Sequence, residues 1–395
     1  MNTLKKLICA MLIFGLLLPV TPIQALELEK LPEFGREYAV FADPMNPDQP
    51  VPAPQWPQTA SPLFTGTDSY LTDPAEAGAI LRSAMKARQS QVTVKIQASA
   101  DTEFKALTAE ILAAALAHTG NPTEGDYLAR QRGMIQSSAT VYAIGGVNYY
   151  ETTFHLEYYT TAAQEAEMDT AVAALLAILD LEGKSDYEKV SKVYRWMCEN
   201  IKYDNDNLYD DSYTLKYTGY AALINHTAVC QGYAVLLYRL CLEMGIDCRI
   251  ITGDGNGGGH AWNIVKLGGK YYNLDATWDA SYYMVRGEYN YFLRTDDTFG
   301  DHTRDVEFTT DEFHAAYPMG TEDYDPDAQP QRTAGDINGD GTLDNKDLTR
   351  LFQYLSDWDV EVSADTLDIN GDGSVNNKDL TRLFQYLSGW DVEIH

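Results

Sequence analysis

A chain of 395 residues, 45% hydrophobic and 22% charged, has room for two or three domains with separate cores. Its 58 acidic side chains against 29 basic ones leave a net charge of −29, which repels phosphate and excludes nucleic acid as an expected partner. Five cysteines over this length do not make a disulfide scaffold.

Lys5-Lys6, an apolar run from Leu7 to Leu18, Pro19 and Ala25 form the pattern of a secretory signal peptide over 1–25. The run is too short to span a bilayer, and no later apolar segment is long enough, so a secreted, extracellular protein without a membrane span is expected. Beyond the leader the cysteines are Cys198, Cys230, Cys241 and Cys248. The last two read as buried apolar residues, and whether they pair is open. Residues 26–72 read as an extended, wrapping arm, because eight of the fifteen prolines fall between Pro32 and Pro62.

Residues 73–161 read as a small α+β domain. Asp73, Pro74 and Glu76 supply an N-cap, an N1 proline and an acidic first turn for a helix. A strand at Val92–Ala98, a helix from Thr102 to His118 and a hairpin turning at Gly145-Gly146 follow. The aromatics Tyr149, Tyr150, Tyr158 and Tyr159 are read chiefly as packing. Two helices then lead into residues 162–320, at Ala162–Leu181 and at Asp186–Ile201 with a Ser185-x-x-Glu188 capping box. Asp204–Asp211 is an acidic turn whose spacing fits no calcium-loop template.

The chemistry-bearing stretch comes next. Gln231 to Met244 has apolar residues at Ala234, Leu237, Tyr238, Cys241 and Leu242, the period of an amphipathic helix, with Gly245 placed to end it. Cys230 therefore stands at a helix N-terminus, where free N–H groups and the dipole favour a thiolate. His260-Ala-Trp-Asn and Tyr272-Asn-Leu-Asp275 flank Gly268-Gly269, a two-residue hairpin signal. With the glycines as the turn, Leu267 faces Lys270 and Trp262 faces Asp275, which puts His260 on the same sheet face as Asp275. That diagonal is roughly 7–8 Å between backbones, within reach of side-chain contact. A thiol nucleophile, an imidazole and a carboxylate are what attack on an amide carbonyl requires. Zinc is disfavoured, since gaps of 30 (260 − 230) and 15 (275 − 260) residues contain no close ligand pair. Trp196 reads as helix core. Asp301-His302 lies beyond the acid with no partner evident and reads as structural.

From about Tyr187 to Asp279 the chain resembles the transglutaminase-like superfamily. The motifs that carry the likeness are Cys230, His260 and Asp275, with Tyr203-Asp204 before them and Thr277-Trp278-Asp279 after. The resemblance implies an α+β fold, papain-like, with the nucleophile helix against an antiparallel sheet. It implies acyl transfer through a thioester on a protein or peptide substrate, with no cofactor in the catalytic site.

After a polar linker over 321–334, Asp336, Asn338, Asp340, Thr342, Asp344 and Asp347 recur 32 residues later (368 − 336) as Asp368, Asn370, Asp372, Ser374, Asn376 and Asp379. Oxygen donors at positions 1, 3, 5, 7, 9 and 12 and glycine at 6 form the calcium loop of an EF-hand, with Asp in place of Glu at 12. Each loop leads into an exit helix with an apolar stripe, Leu348, Leu351, Phe352 and Leu355 in one and Leu380, Leu383, Phe384 and Leu387 in the other. Residues 335–395 resemble the dockerin module. That implies an all-α unit holding two calcium ions and a cohesin domain of a scaffold protein as partner, with Asn345-Lys346 and Asn377-Lys378 at the positions that set cohesin choice.

The expected protein is thus a scaffold-docked cysteine enzyme of a polysaccharide-degrading, cellulosome-type complex. The other readings are a non-catalytic protein-binding module on the same fold and a glycoside hydrolase. The second needs two opposed carboxylates, and no recognisable pair occurs.

Overall fold

A computed structural model describes residues 33–53, 69–286, 289–326 and 334–394, the last with gaps at 340, 359, 361 and 363–365. The leader over 1–25 and the calcium-loop residue Asp340 lie outside the described residues.

The N-terminal unit is a four-stranded antiparallel sheet in the order β1-β3-β4-β2, made of β1 (Glu33–Phe41), β2 (Gln91–Ser99), β3 (Arg132–Ile144) and β4 (Val147–Tyr158). Helices α1 (Pro74–Lys86) and α2 (Phe104–Ala115) pack with it around Leu81, Ile96, Ile111, Ile135 and Phe154. Asp73 caps α1 through Oδ1, which accepts the Ala75 N–H at 2.8 Å. The stretch read as an arm differs from that reading: Glu33–Phe41 pairs along its length with β3 as an edge strand. Tyr149, Tyr150 and Tyr159 are buried, in keeping with packing.

The second unit begins with α3 (Ala162–Ile178) and α4 (Asp186–Asn200), the latter opened by the Ser185–Glu188 capping box. Strands β5 (Lys202–Tyr203) and β6 (Thr227–Ala228) form a short parallel pair and deliver the chain to α5 (Cys230–Glu243). A second antiparallel sheet, ordered β10-β7-β8-β9, uses β7 (Cys248–Gly255), β8 (Gly258–Leu267), β9 (Lys270–Leu274) and β10 (His302–Arg304). Between β9 and β10 lies α6 (Ala276–Arg286). The period of α5 predicts an amphipathic helix, yet every residue from Gln231 to Leu242 is buried. The sheet covers one side of it and helices cover the rest, so its polar side chains are buried with bonding partners: Arg239 meets Asp169 and Glu243 at 2.7 and 2.8 Å.

The two units are tied by charge. Asp126 accepts Arg249 Nε at 2.8 Å, Nη2 at 3.1 Å and the Ile250 N–H at 2.9 Å. His118 meets Asp247 at 2.8 Å. The α+β class with a small N-terminal unit is as expected.

The C-terminal unit has its own small core of Ile337, Leu351, Leu367, Ile369 and Leu383. Its helices are α7 (Asn345–Leu355) and α8 (Asn377–Leu387). The two apolar stripes divide: Leu351 and Leu383 are buried, while Phe352 and Phe384 are 54% and 53% exposed.

Candidate active site

Cys230 is the first residue of α5, and no side chain caps that helix. Among the described residues the N–H groups of Cys230 and Gln231 have no protein acceptor. The first turn of a helix leaves such N–H groups without an intrahelical acceptor. Cys198, Cys241 and Cys248 are buried free thiols, whereas Cys230 is part-exposed. Burial, reinforced by the charges of Asp279 and Asp275, pushes the Cys198 thiol far up. Burial and the neighbouring Cys241 do the same to Cys248.

The hairpin turns where the glycine pair dictates, with Gly268 at φ 56° and Gly269 at φ 78°. Leu267 then faces Lys270 and Asn263 faces Leu274, where the ladder ends one residue short of Asp275. His260 Nε2 lies 2.8 Å from Asp275 Oδ2. That leaves Nδ1 for the thiol, and Cys230 stands near enough to raise the pKa of the same ring. The three expected residues are therefore together in one place. Burial works against a charged His260, but the bonds and charges of Asp275 and Cys230 outweigh it and lift the imidazole to about 10.

Asp275 is 1% exposed and precedes α6 as its cap. Its Oδ1 accepts the N–H groups of Thr277 at 2.9 Å and Trp278 at 3.2 Å. Burial alone would raise its pKa, yet the bonds and charges of His260 and His302 hold the carboxyl below its usual value. The Thr-Trp-Asp motif has a role at each position. Thr277 and Trp278 hold the acid, Trp278 stacks on His260 at 5.0 Å, and Asp279 accepts Tyr194 Oη at 2.6 Å and the Asn290 N–H at 2.7 Å. Burial pushes Asp279 up to about 6.

One residue was misread from sequence. His302 has a partner, since its Nε2 lies 3.2 Å from the Asp275 oxygen that His260 also meets. Pairing of β10 with β7 brings it there, with His302 opposite Gly255 and His260 opposite Gly253. Gly255 is needed at that spot, because a Cβ there would stand 3.0 Å from His260 Cβ and Cγ and from Trp278. Nothing local in the sequence around Asp301-His302 signals this long-range contact.

The acidic turn over 204–211 is organised by an internal cation. Buried Lys216 donates from Nζ to the carbonyls of Asn207, Leu208 and Asp210 at 2.7, 3.0 and 2.9 Å. Trp196 packs at the core edge, as read.

Residues 175–276 match the transglutaminase-like superfamily, and residues 334–388 match the dockerin type I domain. The chain joins a transglutaminase-like domain to a type I dockerin. It is 30% identical to kyphoscoliosis peptidase of Mus musculus over 130 residues and to that of Homo sapiens over 134. Those matches take in 30% and 31% of this chain but 19% of each relative, so the chain spans about a fifth of their length. A crystal structure described as a TGase aligns with 49% of this chain and 57% of its own, at 17% identity and a TM-score of 0.27.

Type I dockerins bind calcium and dock to cohesin in extracellular, cellulosome-type complexes. The loops here fit that ion. Asp347 and Asp379 are fully buried, and their carboxylates accept neutral donors, such as Asn338 N–H at 3.1 Å and Asn370 N–H at 3.1 Å. Two buried anionic groups in oxygen-rich loops suit a hard cation. The Asp at position 12 also serves the exit helix, bonding back to the Asp344 and Asn376 N–H groups in capping boxes. Beside the loops, Leu348, Phe352, Leu380 and Phe384 line an open apolar groove between α7 and α8. Among the described residues no helix is long and apolar enough to cross a membrane.

Proposed function

We propose that this is a secreted cysteine enzyme that transfers acyl groups from peptide or carboxamide bonds through Cys230. The observation that carries it is the contact of His260 with Asp275, beside a Cys230 near enough to raise the pKa of the same ring. In the first half-reaction His260 already holds the thiol proton on Nδ1, as its raised pKa requires, and the Cys230 sulfur adds to the substrate carbonyl as a thiolate. The unpartnered Cys230 N–H is placed to receive the resulting oxyanion. Collapse breaks the C–N bond, and the imidazolium returns its proton to the departing amine, leaving a thioester on Sγ. Water, or a second amine, adds to the thioester with His260 as base, and the thiol is regenerated. Asp275 stays ionised throughout and holds the ring.

Calcium-filled loops bounded by Asp336–Asp347 and Asp368–Asp379 would present the dockerin face to cohesin, delivering the enzyme to proteins or peptides attached to polysaccharide. Peptide mixtures incubated with the full chain or with Cys230→Ala, then compared by mass spectrometry, test the reading. Cleaved or cross-linked products are expected with the wild type alone. Identical product lists from both proteins would overturn it in favour of a non-catalytic binding module.

A further inference from the structure

The side chain of His302 is 1% exposed, and its ring sits in an aromatic box. It stacks on Phe299 at 3.9 Å, leans on Trp278 at 4.3 Å and meets the edge of Trp262 at 4.9 Å. A polar ring there is costly unless it is hydrogen-bonded. Nε2 has Asp275 Oδ2 at 3.2 Å, while Nδ1 is buried with no partner among the described residues. A neutral imidazole has one N–H, and only Nε2 has an acceptor for it. In this pose the ring is thereby a donor to the carboxylate.

We propose that His302 is a positioning residue, which donates Nε2–H to Asp275 Oδ2 and so keeps the acid ionised and aligned for His260. The role rests on the acyl-transfer reading of the site. It gives Asp275 four donors: two backbone N–H groups on Oδ1 and two imidazoles on Oδ2. The other titratable groups that face this acid are Tyr194 and Cys198 on α4, Tyr203 on β5, Tyr233 on α5 and Asp279 on α6, with Cys230 beyond His260. None of them is a cation, so the desolvation of the buried charge is offset by these four donors, of which His302 and His260 are the two side chains.

The test uses the full chain with carbon-13 in its aspartate carboxyls, as wild type, His302→Phe and His302→Gln. Phenylalanine keeps the stack on Phe299 without a donor, whereas glutamine keeps an N–H donor without a ring. In His302→Phe the titration midpoint of the Asp275 carboxyl is expected to rise by about one pH unit or more, a tenfold change in its proton affinity. In His302→Gln it should stay near the wild-type value. An unmoved midpoint in a folded His302→Phe protein, or equal shifts in both variants, overturns the proposal. The pH profile of Cys230 alkylation by iodoacetamide is measured alongside, and its acid limb should follow the same pattern. A wild-type Cys230 inert below pH 8 would remove the acyl-transfer reading while the carboxyl titration still decides the role of His302. His260, Asp275 and His302 each bring a ligand atom to within 4.8 Å of the others, so 1,10-phenanthroline is included. A wild-type carboxyl signal that moves with the chelator also overturns the proposal, because the three groups would then share a metal rather than protons.

Discussion

His260 and Asp275 meet at a helix N-terminus: Nε2 lies 2.8 Å from Oδ2 of a carboxylate whose other oxygen binds the first-turn N–H groups of Thr277 and Trp278. One acid thus starts α6 and orients the imidazole. Its position is set by helix backbone rather than by a side-chain rotamer.

The two duties can be separated by substitution. Asp275→Asn keeps a good cap but loses the charge, and Asp275→Ala loses both. Turnover should fall by about 10⁴ in each. Asp275→Ala should in addition be less stable than Asp275→Asn by about 1 kcal/mol in denaturant unfolding. Equal stabilities would count against the capping role.

The raised imidazole links stability to pH. His260 goes from an ordinary 6.5 to about 10 on folding, so the folded state holds its proton more tightly. The stabilisation is complete below the unfolded value of 6.5 and is lost as pH rises through about 10. Wild type should therefore exceed His260→Gln in unfolding free energy most at about pH 6, with the gap closing toward pH 10. A gap that does not change with pH would contradict the assignment.

Gly255→Ala inserts a methyl group into a space 3.0 Å from the His260 ring and Trp278. Overpacking of this kind costs about 1–3 kcal/mol. Because the neighbour that must move is His260, proposed above as the base, Cys230 alkylation should slow more than the thermal midpoint falls. Unchanged alkylation would show that the strand yields instead of the ring.

Lys216→Met leaves three carbonyls of the acidic turn without their donor. A loss of about 3 kcal/mol is expected. Limited proteolysis should open first within residues 204–213. Cleavage elsewhere would mean that the turn does not depend on this ammonium.

Chelation of calcium should melt the small core around Ile337, Leu351 and Leu383 and abolish cohesin binding. Cys230 should alkylate at an unchanged rate, since the dockerin core is separate from the one around α5. Loss of both properties together would show that the two units fold as one.

Much of this molecule is legible in its sequence because the relevant physics is local. The Gly268-Gly269 turn sets the β8–β9 register, and that register alone puts His260 and Asp275 on one face. Cys230 follows from the start of a helix that Gly245, at φ 76°, brings to an end. The calcium loops repeat their ligands at fixed spacing. What escaped reading was decided by partners distant in the chain. β1 gained strand structure from β3, about a hundred residues on, and Lys216 filled a turn that looks from composition like a cation site. His302 is the clearest case. No periodicity marks it, and only the pairing of β10 with β7 and the missing side chain at Gly255 set it beside the acid. A sequence specifies its turns, caps and ligand spacings through neighbours a few residues apart. Which strand lies at a sheet edge, and which buried ring faces a carboxylate, is settled by the packing of the whole core.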